Sequence, residues 1–400
     1  MKHKHRHLRK SIKVILLIIA LAASGTLGYS CISNKKETAV KPSVNSTSEP
    51  AKKEDTVHSF SMFIEGDLLF MVHNTLGAEQ SDGTYNYSSQ LDEVTAPASQ
   101  YDLSFYNQEV PLAGDDLGFT AFPHFNAPQS LGDYMVSRGF HIVSLANNHS
   151  LDKGTEGVDN SVAYWKAKKD VVSAGENSSQ EMRDDIPVYE KNGITYAFNA
   201  WTYGMNSNVN PDDRPYLVNC YRGHEEEMLN WVRNAKQKAD VVIISMHWGE
   251  EYHSEPDDEQ KHLARELSDA GADIIIGNHA HNIQPIERIN NHTICFYAMG
   301  NLIAAQAILP GTTRKGIYTG MAASLIVTKK EKDGTSVIDV SEPKADLFYI
   351  WFDDMEGLYG PHVTWYKDLS TDVFPDKDTY YQSCIQNVVQ SMDPYVQIGL

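Results

Sequence analysis

Short apolar runs recur along this chain, and several stop abruptly at a small cluster of Asp, Asn, Glu or His. Val241-Val242-Ile243-Ile244-Ser245-Met246 leads into His247-Trp248-Gly249, and Ile274-Ile275-Ile276 into Gly277-Asn278-His279-Ala280-His281. Residues 141–146 lead into Asn147-Asn148-His149, Leu103-Ser104-Phe105-Tyr106 into Asn107-Gln108-Glu109, and the alternating Phe60, Met62 and Ile64 into Gly66-Asp67. Helical periodicity fills 131–139, 156–169, about 225–239 and 259–270, with short strands expected at 171–174, 187–190 and 194–200. From residue 293 onward strand-like segments dominate, and 380–392 reads as a closing helix. Strand–helix alternation builds an open α/β sheet, and the crevice beyond the carboxyl ends of its strands gathers residues that are distant in sequence. The polar clusters are therefore predicted to converge.

Carboxylate, amide oxygen and imidazole together form the donor set that holds two hydrolytic divalent ions close to one another, with water on the open positions. Gly66 before Asp67 suits a backbone that approaches a bound ion, although Gly-Asp also begins many ordinary turns. Glu109 can bridge two cations, or be a surface acid after a strand. Asn148 offers an amide oxygen while its neighbour His149 points at substrate. His247 reads either as a ligand or as a hydrogen-bonded core residue. On extended chain His279 and His281 face the same side and reach adjacent ions. Such a set suits Mn, Fe or Zn better than Mg.

The order Gly-Asp, Asn-x-Glu, Asn-Asn-His-x-x-Asp-x-Gly, His-Trp-Gly-x-Glu, Gly-x-His-x-His and Tyr-x-Met-Gly-Asn, over roughly residues 60–305, resembles the CapA family of poly-γ-glutamate capsule proteins, a branch of the calcineurin-like metallophosphoesterases. The resemblance implies a four-layer α/β/β/α sandwich with two central mixed sheets. It implies Asp67, Glu109, Asn148, His247, His279 and His281 as metal ligands and His149 as the residue that stabilises or protonates the leaving group. Asn107, Asp152, Glu250 and Asn301 are candidates to orient those ligands, because ligating imidazoles need an oxygen to fix their tautomer. One departure stands out. The broader superfamily opens with Asp-x-His and continues with Gly-Asp-x-x-Asp, whereas here the first strand offers only Asp67 and the second acid is Glu109. His73, further along, is a remoter candidate for the missing ligand.

The formal charge is −19, and residues 1–30 carry six bases and no acid, so the rest of the chain is more acidic still. Such a body does not bind nucleic acid or anionic lipid through general electrostatics. Basic residues 2–13 followed by an apolar run to Leu27 read as an export signal or signal anchor, and Cys31 stands where a lipidated cysteine would, although Leu27 is one position early for that motif. The expected organisation is a signal or anchor at 1–30, a disordered tether at 31–57, the catalytic domain at 58–325 and C-terminal strands and helix at 326–400 that complete it. Cys220, Cys295 and Cys384 have no CxxC spacing, which indicates neither a thiolate zinc site nor a disulfide framework.

The function these features imply is an exported, membrane-tethered, metal-dependent hydrolase or transferase acting on a cell-surface polymer such as poly-γ-glutamate. The alternative is a non-catalytic component of a membrane synthesis or export complex that retains the metal site. An acidic body repels polyglutamate, so contact must be local, at the metals or at bases such as Arg314-Lys315.

Overall fold

The alternating apolar pattern around Phe60 becomes β1 (Thr56–Leu69), the central strand of the larger of two sheets. The structure, a computed structural model, describes residues 55–307 and 312–400. The expected signal segment, Cys31 and nearly all of the expected tether lie outside them. Beside β1 run β2 (Leu103–Asn107), β3 (Ile142–Ser144) and β4 (Val172–Ala174), all parallel. The chain then builds a second sheet: β5 (Tyr189–Lys191) and β6 (Ile194–Thr202) form a hairpin, β7 (Val241–His247) and β8 (Ile274–Asn278) add in parallel, and β9 (Ile286–Ile289) and β10 (Thr293–Phe296) finish it in the order β5-β6-β7-β8-β10-β9.

It returns to the first sheet through β11 (Asn301–Ala304), which pairs in parallel with the end of β1. Then β12 (Thr319–Lys332), β13 (Thr335–Asp354) and β14 (Tyr359–Trp365) extend that sheet antiparallel, and β15 (Gln397–Ile398) pairs with β13. The strand-like stretch on either side of Pro343 forms a single strand, β13. Pro343 cannot donate to the ladder, and the chain absorbs it at an irregularity where Glu342 takes a φ of 50° instead of ending the strand.

Every residue of β7 and β8 is buried, as expected of parallel strands covered on both faces. One cover is the first sheet: Phe105 packs on Phe198 with ring centroids 6.1 Å apart, and Phe60 on Tyr196 at 6.3 Å. The helices lie outside. On the first sheet, α1 (Val72–Ala78), α2 (Ser88–Thr95), α3 (Gln129–Ser137) and α4 (Gly154–Lys166) bury Ala78, Leu91, Val94, Leu131, Met135 and Trp165. The short α5 (Gln180–Asp184) precedes the second sheet, whose outer face is covered by α6 (Glu225–Lys236) and α7 (Asp258–Ala270) through Met228, Leu229, Val232, Leu263 and Leu267. The result is the four-layer α/β/β/α arrangement with mixed sheets.

Local chemistry explains these helices. The first turn of α6 carries Glu225, Glu226 and Glu227, and its last turn Arg233 and Lys236, charges that complement the helix dipole. Asp257 and Gln260 form a capping box on α7, and Gly271, left-handed at φ 112°, ends it. The aromatic tail is chiefly packing: Tyr349, Phe352, Trp365 and Tyr366 are buried, while Trp351 stacks on His362 and Tyr359 is exposed. Among the described residues no helix is long and apolar enough to cross a membrane.

Candidate metal centre

The carboxyl ends of β1, β2, β3, β7 and β8 meet at one place. Asp67 is wholly buried; its Oδ1 accepts from Asn107 Nδ2 at 2.7 Å and its Oδ2 from the backbone N–H of His279 at 3.0 Å, so one carboxylate ties three strand ends from both sheets. Asn147 Nδ2 donates to the Gln108 carbonyl at 2.7 Å, joining the loops that carry Glu109 and Asn148. Gly66 is glycine for a reason unlike the expected one. A Cβ there would stand 2.0 Å from the Gly300 carbonyl, so the crossing of the turn before β11, not the approach of an ion, excludes a side chain.

Glu109 lies in the middle with no exposure, and neither of its carboxylate oxygens has a hydrogen-bond partner. His281 Nε2 is 3.7 Å from Glu109 Oε1, and His281 Nδ1 is 3.9 Å from Asp67 Oδ2. That Nδ1 donates to Asn301 Oδ1 at 2.9 Å, while Asn301 Nδ2 donates to the Ile317 carbonyl at 3.1 Å, which orients the amide and leaves Nε2 of His281 as the free donor atom. His247 Nε2 is 3.0 Å from Asn148 Oδ1, a separation that also suits two ligands of one cation. His279 packs its ring on those of His247 and Tyr203, each at 4.7 Å between centroids, and its buried Nδ1 has no partner. His279 and His281 do not sit on extended chain as expected. They occupy bends at φ 90° and 54°, because the Asp67 carboxylate holds the His279 amide and turns the chain.

His149 stands beside this group. Its Nδ1 is 2.8 Å from Asp152 Oδ2, which also accepts from the Phe125 amide at 2.7 Å, and Phe125 packs edge-on against the imidazole at 4.6 Å. The ring is thus fixed from two sides, with Nε2 left for a substrate.

The electrostatics describe a cluster without its counter-charge. Burial, and then the nearby carboxylates of Asp67, Glu251 and Asp152, push Glu109 well above the usual carboxylate range. Burial also raises Asp67, against the pull of His281 and its hydrogen bonds. Burial and the neighbouring imidazoles hold His247 and His279 well below the usual histidine range, hence neutral and able to ligate. A cation relieves both effects at once, and the orphaned oxygens of Glu109 and Nδ1 of His279 are the donors it would use. The residues fit a divalent-metal site. Two groups of donor atoms, Asp67–Glu109–His281 and Glu251–His279–His281, each lie within 4.8 Å of one another.

Glu251 was not singled out by the sequence; its neighbour Glu250 was. Gly249 at φ 86° turns the loop so that Glu250 points to solvent, 3.7 Å from His253, and Glu251 points inward. The motif His-Trp-Gly-x-Glu already ends on Glu251, and that was the available signal. His73 lies on α1 with its ring against Tyr359 and in neither donor group. Arg314 and Lys315 are not free cations: they face Glu356 at 2.7 Å and Asp376 at 3.6 Å. Cys220, Cys295 and Cys384 are free thiols and belong to neither donor group.

The chain is 34% identical over 209 residues to the PGA biosynthesis protein CapA of Bacillus subtilis (strain 168), covering 50% of each chain. It is 30% identical over 223 residues to the capsule biosynthesis protein CapA of Bacillus anthracis, covering 54% of this chain and 51% of that one. A probable polyglutamine synthesis accessory protein of Mycobacterium tuberculosis (strain CDC 1551 / Oshkosh) is 31% identical over 173 residues, covering 41% and 45%. The chain spans about half the length of the curated relatives it matches. The sequence profile described as bacterial capsule synthesis protein PGA_cap matches residues 61–306, the stretch that contains every donor described above, and the chain belongs to that family.

Proposed function

We propose that this chain is an exported, membrane-tethered, metal-dependent hydrolase of capsule synthesis that acts on an anionic surface polymer of the poly-γ-glutamate type. The basic and apolar N-terminus supports the export and tether, and the names of the relatives support the polymer. The observation that carries the catalytic reading is Glu109: a wholly buried carboxylate with two unpartnered oxygens, grouped with Asp67 and His281, beside an oriented His149.

Asp67, Glu109, Asn148, His247, His279 and His281 would hold two divalent ions of the Mn, Fe or Zn kind. When bound, these supply Lewis acidity to the scissile group and to water. The protein's own part is positional. Asp152 accepts from Nδ1–H of His149, so Nε2 faces the substrate, and in the imidazolium form that Asp152 supports the Nε2 proton would pass to the leaving group. Asn107 and Asn301 fix Asp67 and His281. The acid-rich body repels a polyanion and Arg314 and Lys315 are already paired, so the metal cleft itself is the local positive feature such a polymer would meet.

A second reading, a non-catalytic component of a polymer synthesis or export complex, is favoured by the word accessory in the mycobacterial relative's name and by Leu69 standing where the superfamily places a ligating histidine. Hydrolysis of a generic phosphodiester and of a γ-glutamyl polymer, with added Mn²⁺, separates the two. Turnover by the wild type that falls on the order of 100-fold or more in His149→Ala, with metal content unchanged, supports the hydrolase. No turnover on either substrate by the metal-loaded protein contradicts it.

A further inference from the structure

The superfamily's Asp-x-His would place a histidine two residues after Asp67, but that position is Leu69, 2% exposed and part of the core. The site around Asp67, Glu109 and His281 is therefore one ligand short on the β1 side. The opposite side of the cleft offers a further donor. A carboxylate oxygen of Glu251 lies within 4.8 Å of donor nitrogens on both His279 and His281.

The backbone holds this carboxylate there. Tyr252 N–H donates to the Ala280 carbonyl at 2.6 Å, between the two histidines, and Asn282 Nδ2 donates back to the Tyr252 carbonyl at 3.0 Å. Gln306 Nε2 donates to the Tyr252 hydroxyl at 2.6 Å. On the other flank Gly249 takes φ 86°, a left-handed conformation that glycine adopts without strain. The loop between is fixed at both ends, and Tyr252 itself takes φ 67°. The charge of Glu251 also reaches Glu109, as a cause of that group's raised pKa.

We infer that Glu251 is a metal ligand of this centre, reaching it from the loop after β7 on the side of His279 and His281. The inference rests on the two-ion reading above. A carboxylate donor hardens the site and favours Mn²⁺. Because Glu251 is half-buried on a loop, unlike the buried Asp67 and Glu109, it is also the ligand that an anionic substrate group displaces most readily.

Mn²⁺ titration by calorimetry, with elemental analysis, tests this on the full chain as wild type, Glu251→Gln, Glu251→Asp and the exposed neighbour Glu250→Gln. The expected result is two sites in the wild type and in Glu250→Gln, one of them weakened on the order of 10- to 100-fold in Glu251→Gln and less in Glu251→Asp, with the metal-free melting temperature unchanged. Two sites of wild-type affinity in Glu251→Gln overturn the inference and leave the two-ion reading standing. A wild type that takes up no Mn²⁺ overturns both.

Discussion

Asn301 Oδ1 sits 2.9 Å from His281 Nδ1, and this single hydrogen bond decides which nitrogen of His281 faces Glu109. Asn301 is itself tied to the Ile317 carbonyl, so its amide cannot flip without losing that bond. Asn301→Ala is expected to weaken one divalent-ion site by roughly 10- to 100-fold, read by calorimetry, because the imidazole loses its fixed tautomer. Unchanged affinity would mean that Asn301 serves only to join β1 and β11.

Asp152 bears on chemistry and not on metal. Asp152→Asn keeps the size of the side chain but weakens its hold on the His149 ring, so turnover should fall on the order of 10- to 1000-fold while metal content stays at wild-type level. Equal loss of metal and turnover would place Asp152 among the structural supports instead.

Much of this was readable in advance. β7 and β8 are apolar throughout because both faces are covered, and α6 and α7 carry their charges and caps in plain view, so their positions and the convergence of their flanking loops follow from pattern alone. What pattern does not carry is backbone geometry inside the loops. The positive φ at Gly249 exchanges the roles of Glu250 and Glu251, and the bend at His279 replaces extended chain, because each depends on a tertiary contact, with Gln260 in one case and Asp67 in the other. Pro343 is a strand breaker by type, yet β12 pairs with β13 both before and after it and carries the strand past it.

Gly66 is a packing requirement. Gly66→Ala forces its methyl against the Gly300 carbonyl, a 2.0 Å approach to backbone that cannot rotate away. The expected cost is about 3 kcal/mol or more, seen as a lower urea midpoint, together with weaker metal binding because Asp67 is the next residue. Wild-type stability would show that β11 can shift to make room.

Glu176 supplies a pH test away from the metal centre. Burial pushes its carboxyl up to about 8, opposed by a hydrogen bond with Ser161, so it is protonated in the fold at neutral pH. A raised folded pKa means the folded state holds a proton that the unfolded chain releases above about 4.3, so the wild type loses stability as pH rises through the window from about 4.3 to 8. Glu176→Gln has no such proton. Its stability relative to wild type should grow by about 3 kcal/mol between pH 5 and pH 7.5, measured by urea unfolding. Parallel curves for the two proteins would contradict this.

The most direct test of the central claim is a crystal structure grown with Mn²⁺ and its anomalous difference map. Two peaks are predicted, one bounded by Asp67, Glu109 and His281 and the other by Asn148, His247 and His279, with Glu109 between them. No peak in this cluster, from a protein saturated with Mn²⁺, would contradict the account.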